Sequence, residues 1–198
     1  MPTMPDAHAV ASLGLRLLPT HDADPAAVLR FEVANREHFR RSIPDRGDDY
    51  YDLHAVAASL HDARCWWEDG SDRMHVVVDP ADAVVARANL VDVADGSASL
   101  GYRVAVSHSG RGIATAAVDD LLTLAPRWGI SRVCAVTSTL NVGSTRVLQR
   151  CGFAIVRTRT AALVLGETRL DALDWEASVT DRTTLTTTAT TRTPPERP

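Results

Sequence analysis

Hydrophobic and polar residues along this chain fall into blocks that switch between the two-residue period of a strand and the three-to-four-residue period of a helix. Leu13–Leu18 (LGLRLL) predicts an opening strand. Asp24-Pro25 then starts a helical stretch, AAVLRFEVANREHFRR, with proline in the first turn, where its missing N–H does no harm. Ile43-Pro44 ends that helix. A second helix is predicted from about Asp48 to Cys65, with Tyr50, Leu53, Val56, Ala57 and Leu60 on one face. Three strand signals follow: Arg73–Val78, closed by Asp79-Pro80; Ala83–Val93, closed by Asp95-Gly96; and Ser97–Val106. Their short separations predict an antiparallel meander. SHSGRGIAT then leads into a long helix through Trp128, stopped by Gly129, with Ala114, Ala117, Val118, Leu121, Leu122 and Ala125 as its apolar stripe. Arg132–Thr137 reads as a buried strand and Asn141–Cys151 as a short helix ended by Gly152. Ala154–Leu165 and Thr168–Glu176 read as a closing pair of strands. The order βααβββαβαββ predicts one mixed α/β (α+β) domain.

The ends lack this patterning. Residues 1–11 are expected to be loose, and 12–177 to form the domain. From Ser178 the text holds nine Thr and three Pro in 21 positions, so 178–198 is expected to be a disordered tail. A chain of 198 residues, 45% hydrophobic and 23% charged, has the composition of an ordinary globular protein and needs no disulfide or metal to be stable. Its formal charge of -4 argues against a partner nucleic acid held by bulk charge. Every cation is Arg, which excludes a Schiff base, a Walker lysine and kinase-type chemistry. Cys65, Cys134 and Cys151 are widely spaced, so neither a disulfide framework nor a zinc site is expected, and the two later ones read as core residues. His54 and His61 share a helix face with no third ligand in view, and no metal is expected. Trp66-Trp67 reads as closing a core edge. With no signal peptide and no apolar run near twenty residues, the expectation is a cytoplasmic protein with no membrane partner, monomer or homodimer.

The chemistry concentrates in Val104–Thr115, VAVSHSGRGIAT, where a strand meets a glycine-bearing loop that opens a helix. Gly110 and Gly112 let the backbone approach a ligand, and their N–H groups, with those of Ile113, Ala114 and Thr115, converge where the helix dipole is positive. Arg111 adds a guanidinium able to fork onto phosphate. Such a loop suits a diphosphate. A dinucleotide fingerprint fits less well, because Thr115 holds its third glycine position and antiparallel strands precede it. A plain helix start is the reading without a ligand.

Thirty residues on comes Asn141-Val-Gly-Ser144-Thr-Arg-Val-Leu-Gln-Arg-Cys-Gly-Phe153. The two segments together resemble the GCN5-related N-acetyltransferase (GNAT) superfamily. Asn35-Arg36-Glu37-His38-Phe39, Ile43-Pro44, Tyr50-Tyr51 and Leu100-Gly101-Tyr102 are similar to its RimJ/RimL branch, which acetylates protein N-termini, notably of ribosomal proteins. The resemblance spans about Leu13 to Trp175 and implies a mostly antiparallel central sheet flanked by helices. It implies acetyl-CoA as co-substrate, with pantetheine on the backbone of Val104 and Val106 and the diphosphate on residues 110–115. Asn141 is implied as a contact to CoA or to water, and Ser144 as a proton donor to the departing thiolate. The alternatives are a helix N-cap for Asn141 and, for Ser144, a place in the first turn of that helix where it satisfies backbone. The acceptor is implied to be a primary amine on a protein N-terminus, or else on an antibiotic or polyamine.

The chain also departs from the pattern. Ser109 stands where the family loop usually begins with Gln or Arg, Ser99 where the RimL type has Glu, and no Tyr follows Tyr102. Glu37, Asp45, Glu167 and Asp171 are candidate bases by reach alone. The acidic run Asp45–Asp52 reads either as a lure for a cationic acceptor or as a helix start. A non-catalytic acyl-CoA-binding module is the reading from a different class.

Overall fold

The computed structural model describes residues 8–179. Seven strands, β1 (Arg16–Pro19), β2 (Arg73–Val78), β3 (Val84–Ala94), β4 (Ser97–Val104), β5 (Arg132–Ser138), β6 (Ala154–Leu165) and β7 (Thr168–Ser178), form one sheet in the order β1-β2-β3-β4-β5-β7-β6. Every neighbouring pair is antiparallel except β4 and β5. Those two run parallel and pair only at Ser97–Arg132, Ala98–Val133 and Ser99–Cys134. Beyond Ser99 they part, because β5 turns to β7 along its whole length while β4 stays on β3. The far half of β4 therefore presents a bare edge inside the sheet.

Among the described residues, five α-helices cover the faces: α1 (His8–Ala11), α2 (Pro25–Phe39), α3 (Leu53–Asp69), α4 (Ile113–Leu124) and α5 (Val142–Arg150). The pleat sends alternate residues to two cores. Val76 and Val78 pack with Val28, Phe31, Val56 and Leu60 of α2 and α3, whereas Val77, Leu90 and Leu100 pack with Val118, Leu121 and Leu122 of α4. No helix among the described residues is long and apolar enough to cross a membrane.

Boundaries differ from the sequence reading where a distant partner intervenes. Residues 8–11 are helical rather than loose: the buried Asp120 carboxylate accepts from Ala9 and Val10 N–H, both at 2.9 Å, and Val10 is fully buried. Gly14, at φ 72°, then turns the chain, so the first strand starts at Arg16 and not Leu13. Helix α3 starts five residues later than predicted, because the Asp52 carboxylate accepts from Ala55 N–H (2.9 Å) and caps it there. Leu53 and Ala57 face solvent. Pro126 converts the end of the long helix into a 3-10 turn from Ala125 to Trp128. Trp67 packs edge-on against His75 and Trp128, while Trp66 lies outside. At the other terminus Ala177 and Val179 are buried, so the domain reaches 179. The rest of the tail reading, 180–198, lies outside the described residues, as do residues 1–7.

Candidate active site

The parting of β4 from β5 opens a cavity of about 540 Å³. Ala105 N–H donates to Val85 on the β3 side (2.9 Å). Successive residues of an extended chain face opposite edges, so Val104 turns its N–H and C=O into the opening. Val106 does not continue that edge. It begins a 3-10 turn, and its N–H donates to the Asn35 side-chain oxygen (2.9 Å), whose amide nitrogen is in turn anchored on Phe31 C=O (2.8 Å). The expectation that Val104 and Val106 both offer backbone to pantetheine thus reduces to Val104, since Asn35 has taken the Val106 amide.

Gly110 and Gly112 adopt φ of 76° and 80°, a region that strains any residue with a Cβ. The resulting loop leaves the N–H groups of residues 110–115 without a protein hydrogen-bond acceptor among the described residues. The first internal bond of α4 runs from Ala116 to Gly112. Gly110, Gly112, Ile113, Ala114 and Thr115 all line the cavity; Arg111 points to solvent outside it. Ser109, in place of the family's longer side chain, bonds back to Ala105 C=O. The cationic side chains at this end come instead from α5, where Arg146 and Arg150 sit one turn apart on the cavity face.

Asn141 and Ser144 line the same cavity. Asn141 caps α5, accepting from Ser144 N–H (3.0 Å). The Ser144 hydroxyl lies 2.6 Å from the Tyr102 hydroxyl, which also reaches Ser144 C=O at 3.2 Å. Burial, only partly offset by the Ser144 bond, pushes the Tyr102 phenol up to about 12, so it stays a proton donor at neutral pH. Tyr102 precedes the loop in sequence, which is why a search for an acid after the loop passes over it.

The far end is built by His38, Phe39, Ser42, Ile43 and Arg103. No Asp or Glu is among the described residues that line the cavity. Of the candidate bases, Glu37 pairs with Arg40, and the Asp45 carboxylate is held well below the ordinary range by Arg36. Asp171 accepts from Ala161 N–H, and Glu167 sits in the exposed turn after β6. The acidic run is likewise spent internally: Asp45 and Asp48 both bind Arg36, and Asp52 caps α3.

Residues 12–154 match the family described as Acetyltransferase (GNAT) domain. The chain belongs to that family, and it is an acetyltransferase that uses acetyl-CoA. Its fold is similar to the ribosomal-protein-S5-alanine acetyltransferase from Vibrio fischeri (18% identity, 84% of this chain and 93% of that chain covered, TM-score 0.78). It is also similar to RimJ from Mycobacterium smegmatis, solved with CoA-disulfide (24% identity, 87% and 88% covered, TM-score 0.69). A spermidine N-acetyltransferase from Vibrio cholerae, solved with CoA and spermine, shares the fold as well (15% identity, 84% and 96% covered, TM-score 0.69). No curated protein sequence matches this chain.

Proposed function

We propose that this enzyme acetylates the N-terminal amine of a protein. The observation that carries the reading is a cavity that joins the glycine loop to the acceptor end and has no carboxylate among the described residues lining it. A polyamine is a chain of ammonium groups and would find no counter-charge there, whereas a peptide N-terminus brings one amine. The RimJ-like fold supports the same choice.

The residues present fit acetyl-CoA. The bare amides of residues 110–115 suit its diphosphate, and a Cβ on Gly110 or Gly112 would project into open space where that group must approach. Arg146 and Arg150 add charge-assisted bonds to phosphate. Bound acetyl-CoA supplies an acetyl group on a thioester. Val104 N–H is placed to bind the acetyl carbonyl oxygen, and its C=O to align pantetheine as an added strand. The Tyr102 hydroxyl, 2.6 Å from Ser144 Oγ, can turn its proton from Ser144 C=O to that oxygen and so replace the proton serine gives to the departing sulfur; two hydroxyls in series make a better donor than serine alone. Asn35, by fixing Val106 to α2, holds the loop in register with this pair.

The acceptor amine must lose its proton. No carboxylate among the described residues lining the cavity offers an ammonium ion a counter-charge, so the bound amine is shifted toward its neutral form. His38, an imidazole at the acceptor end, can pass the proton to water. The test is thiol release from acetyl-CoA against a panel of N-terminal peptides, spermidine and aminoglycosides. Turnover of peptides above the small amines is the expected result; turnover of the small amines alone overturns the reading.

A further inference from the structure

Beneath the acceptor end lies a charge cluster that the acetyl transfer itself does not use. Glu32 of α2 is 1% exposed, and its Oε1 alone takes both Arg87 of β3 (2.8 Å) and Arg103 of β4. One carboxylate thus faces two guanidiniums, and the side chains of Arg87 and Arg103 are 5% and 12% exposed. Arg46, stacked over the Tyr50 ring at 4.5 Å, adds to the same positive field. Burial, Arg87 and Arg46 together outweigh Glu32 and hold Arg103 below the ordinary guanidinium value. Excess charge in a poorly solvated place is unfavourable until an anion offsets it. Arg87 Nε has no partner and is sealed from the cavity. Arg103 differs: it lines the cavity, and beyond its bond to Glu32 its nitrogens have no acceptor among the described residues. Arg103 also lies between Tyr102 and Val104 on β4, and all three line the same cavity.

We infer that Arg103 is a specificity residue that receives a carboxylate of the acceptor, so the preferred substrate is an N-terminus with an acidic side chain at its second residue. Resting on the N-terminal reading above, this narrows the substrate class to acidic N-termini. The acceptor's carboxylate meets the cavity-facing Arg103, which shares Glu32 Oε1 with Arg87, and a basic residue at the same place meets that guanidinium instead.

Three peptides identical except for Glu, Gln or Lys at the second residue test this with the wild-type enzyme. A charge-assisted bond predicts kcat/KM for Glu about tenfold or more above Gln, with Lys lowest. High salt should compress that spread. Arg103→Met should bring the Glu-to-Gln ratio toward one and Arg103→Lys should retain part of it, with the effect in KM rather than kcat. CoA binding by calorimetry shows whether each variant is folded, and the wild-type ratios stand even if a variant is not. Equal use of the three peptides, or a preference for Lys, overturns the inference while leaving N-terminal acetylation intact. No turnover of any peptide overturns both.

Discussion

The two ends of the cavity are built from different materials. The cradle at the coenzyme end is mainly backbone: two glycines at positive φ, a row of unshared N–H groups and the first turn of α4, all within six consecutive residues, with Arg146 and Arg150 of α5 beside it. The acceptor end is side chains drawn from α2, the segment after it, β3 and β4, joined by Glu32, Asn35, Arg87 and Arg103 over as many as 71 residues of sequence separation. A backbone site is specified locally and tolerates changes in its side chains, as Ser109 and the solvent-facing Arg111 illustrate. A side-chain site depends on the fold for its geometry, and its members are costly to remove one at a time.

The largest effect should come from breaking the acceptor end at its one buried acid. Glu32→Ala leaves two guanidiniums buried without a partner and should destabilise the protein by about 3–5 kcal/mol, read from denaturant melts. A remote region gives the reference for such stability effects. Burial pulls His75, packed against Trp67 and Trp128, down to about 4 from an ordinary 6.5. The folded protein keeps it neutral while the unfolded chain takes up a proton below about pH 6.5. Stability is therefore complete above that pH and falls as the pH drops through about 4, by up to about 3 kcal/mol. His75→Phe should flatten that slope in melts across the range.

At the coenzyme end, Gly112→Val places a branched side chain at φ 80° in the diphosphate's path and should weaken CoA binding about 100-fold by calorimetry, with a smaller change in stability. Between the ends, Ser144→Ala and Tyr102→Phe should each lower kcat about tenfold or more with KM for acetyl-CoA little changed. Because the two hydroxyls act in series, the double variant should lose little beyond either single one. Full additivity would break the relay.

The same contrast explains what the sequence made legible. The order of strands and helices, the antiparallel meander and residues 110–115 followed from period and glycine placement, because those signals are local. Arg146 and Arg150 were legible in principle, as two cations four apart on α5, but nothing local says which face of so short a helix meets a ligand; Leu148 and Cys151 are buried, while Val147 shares the cavity face with the arginines. The α1 helix was not legible, since its cap, Asp120, is 110 residues from Val10. Nor was the loss of the Val106 amide to Asn35, 71 residues away. Glu32 and Arg87 are charged residues within helix and strand patterns, and only the packing of α2 on β3 and β4 brings them together.

The most direct test of this account follows the backbone amides of residues 110–115 by nuclear magnetic resonance while CoA is added, with pantetheine as the control lacking the diphosphate. These N–H groups should show the largest shifts in the protein with CoA, slow their exchange with water, and respond weakly to pantetheine. Saturation with CoA that leaves them unmoved would contradict the claim that this loop is the coenzyme's cradle.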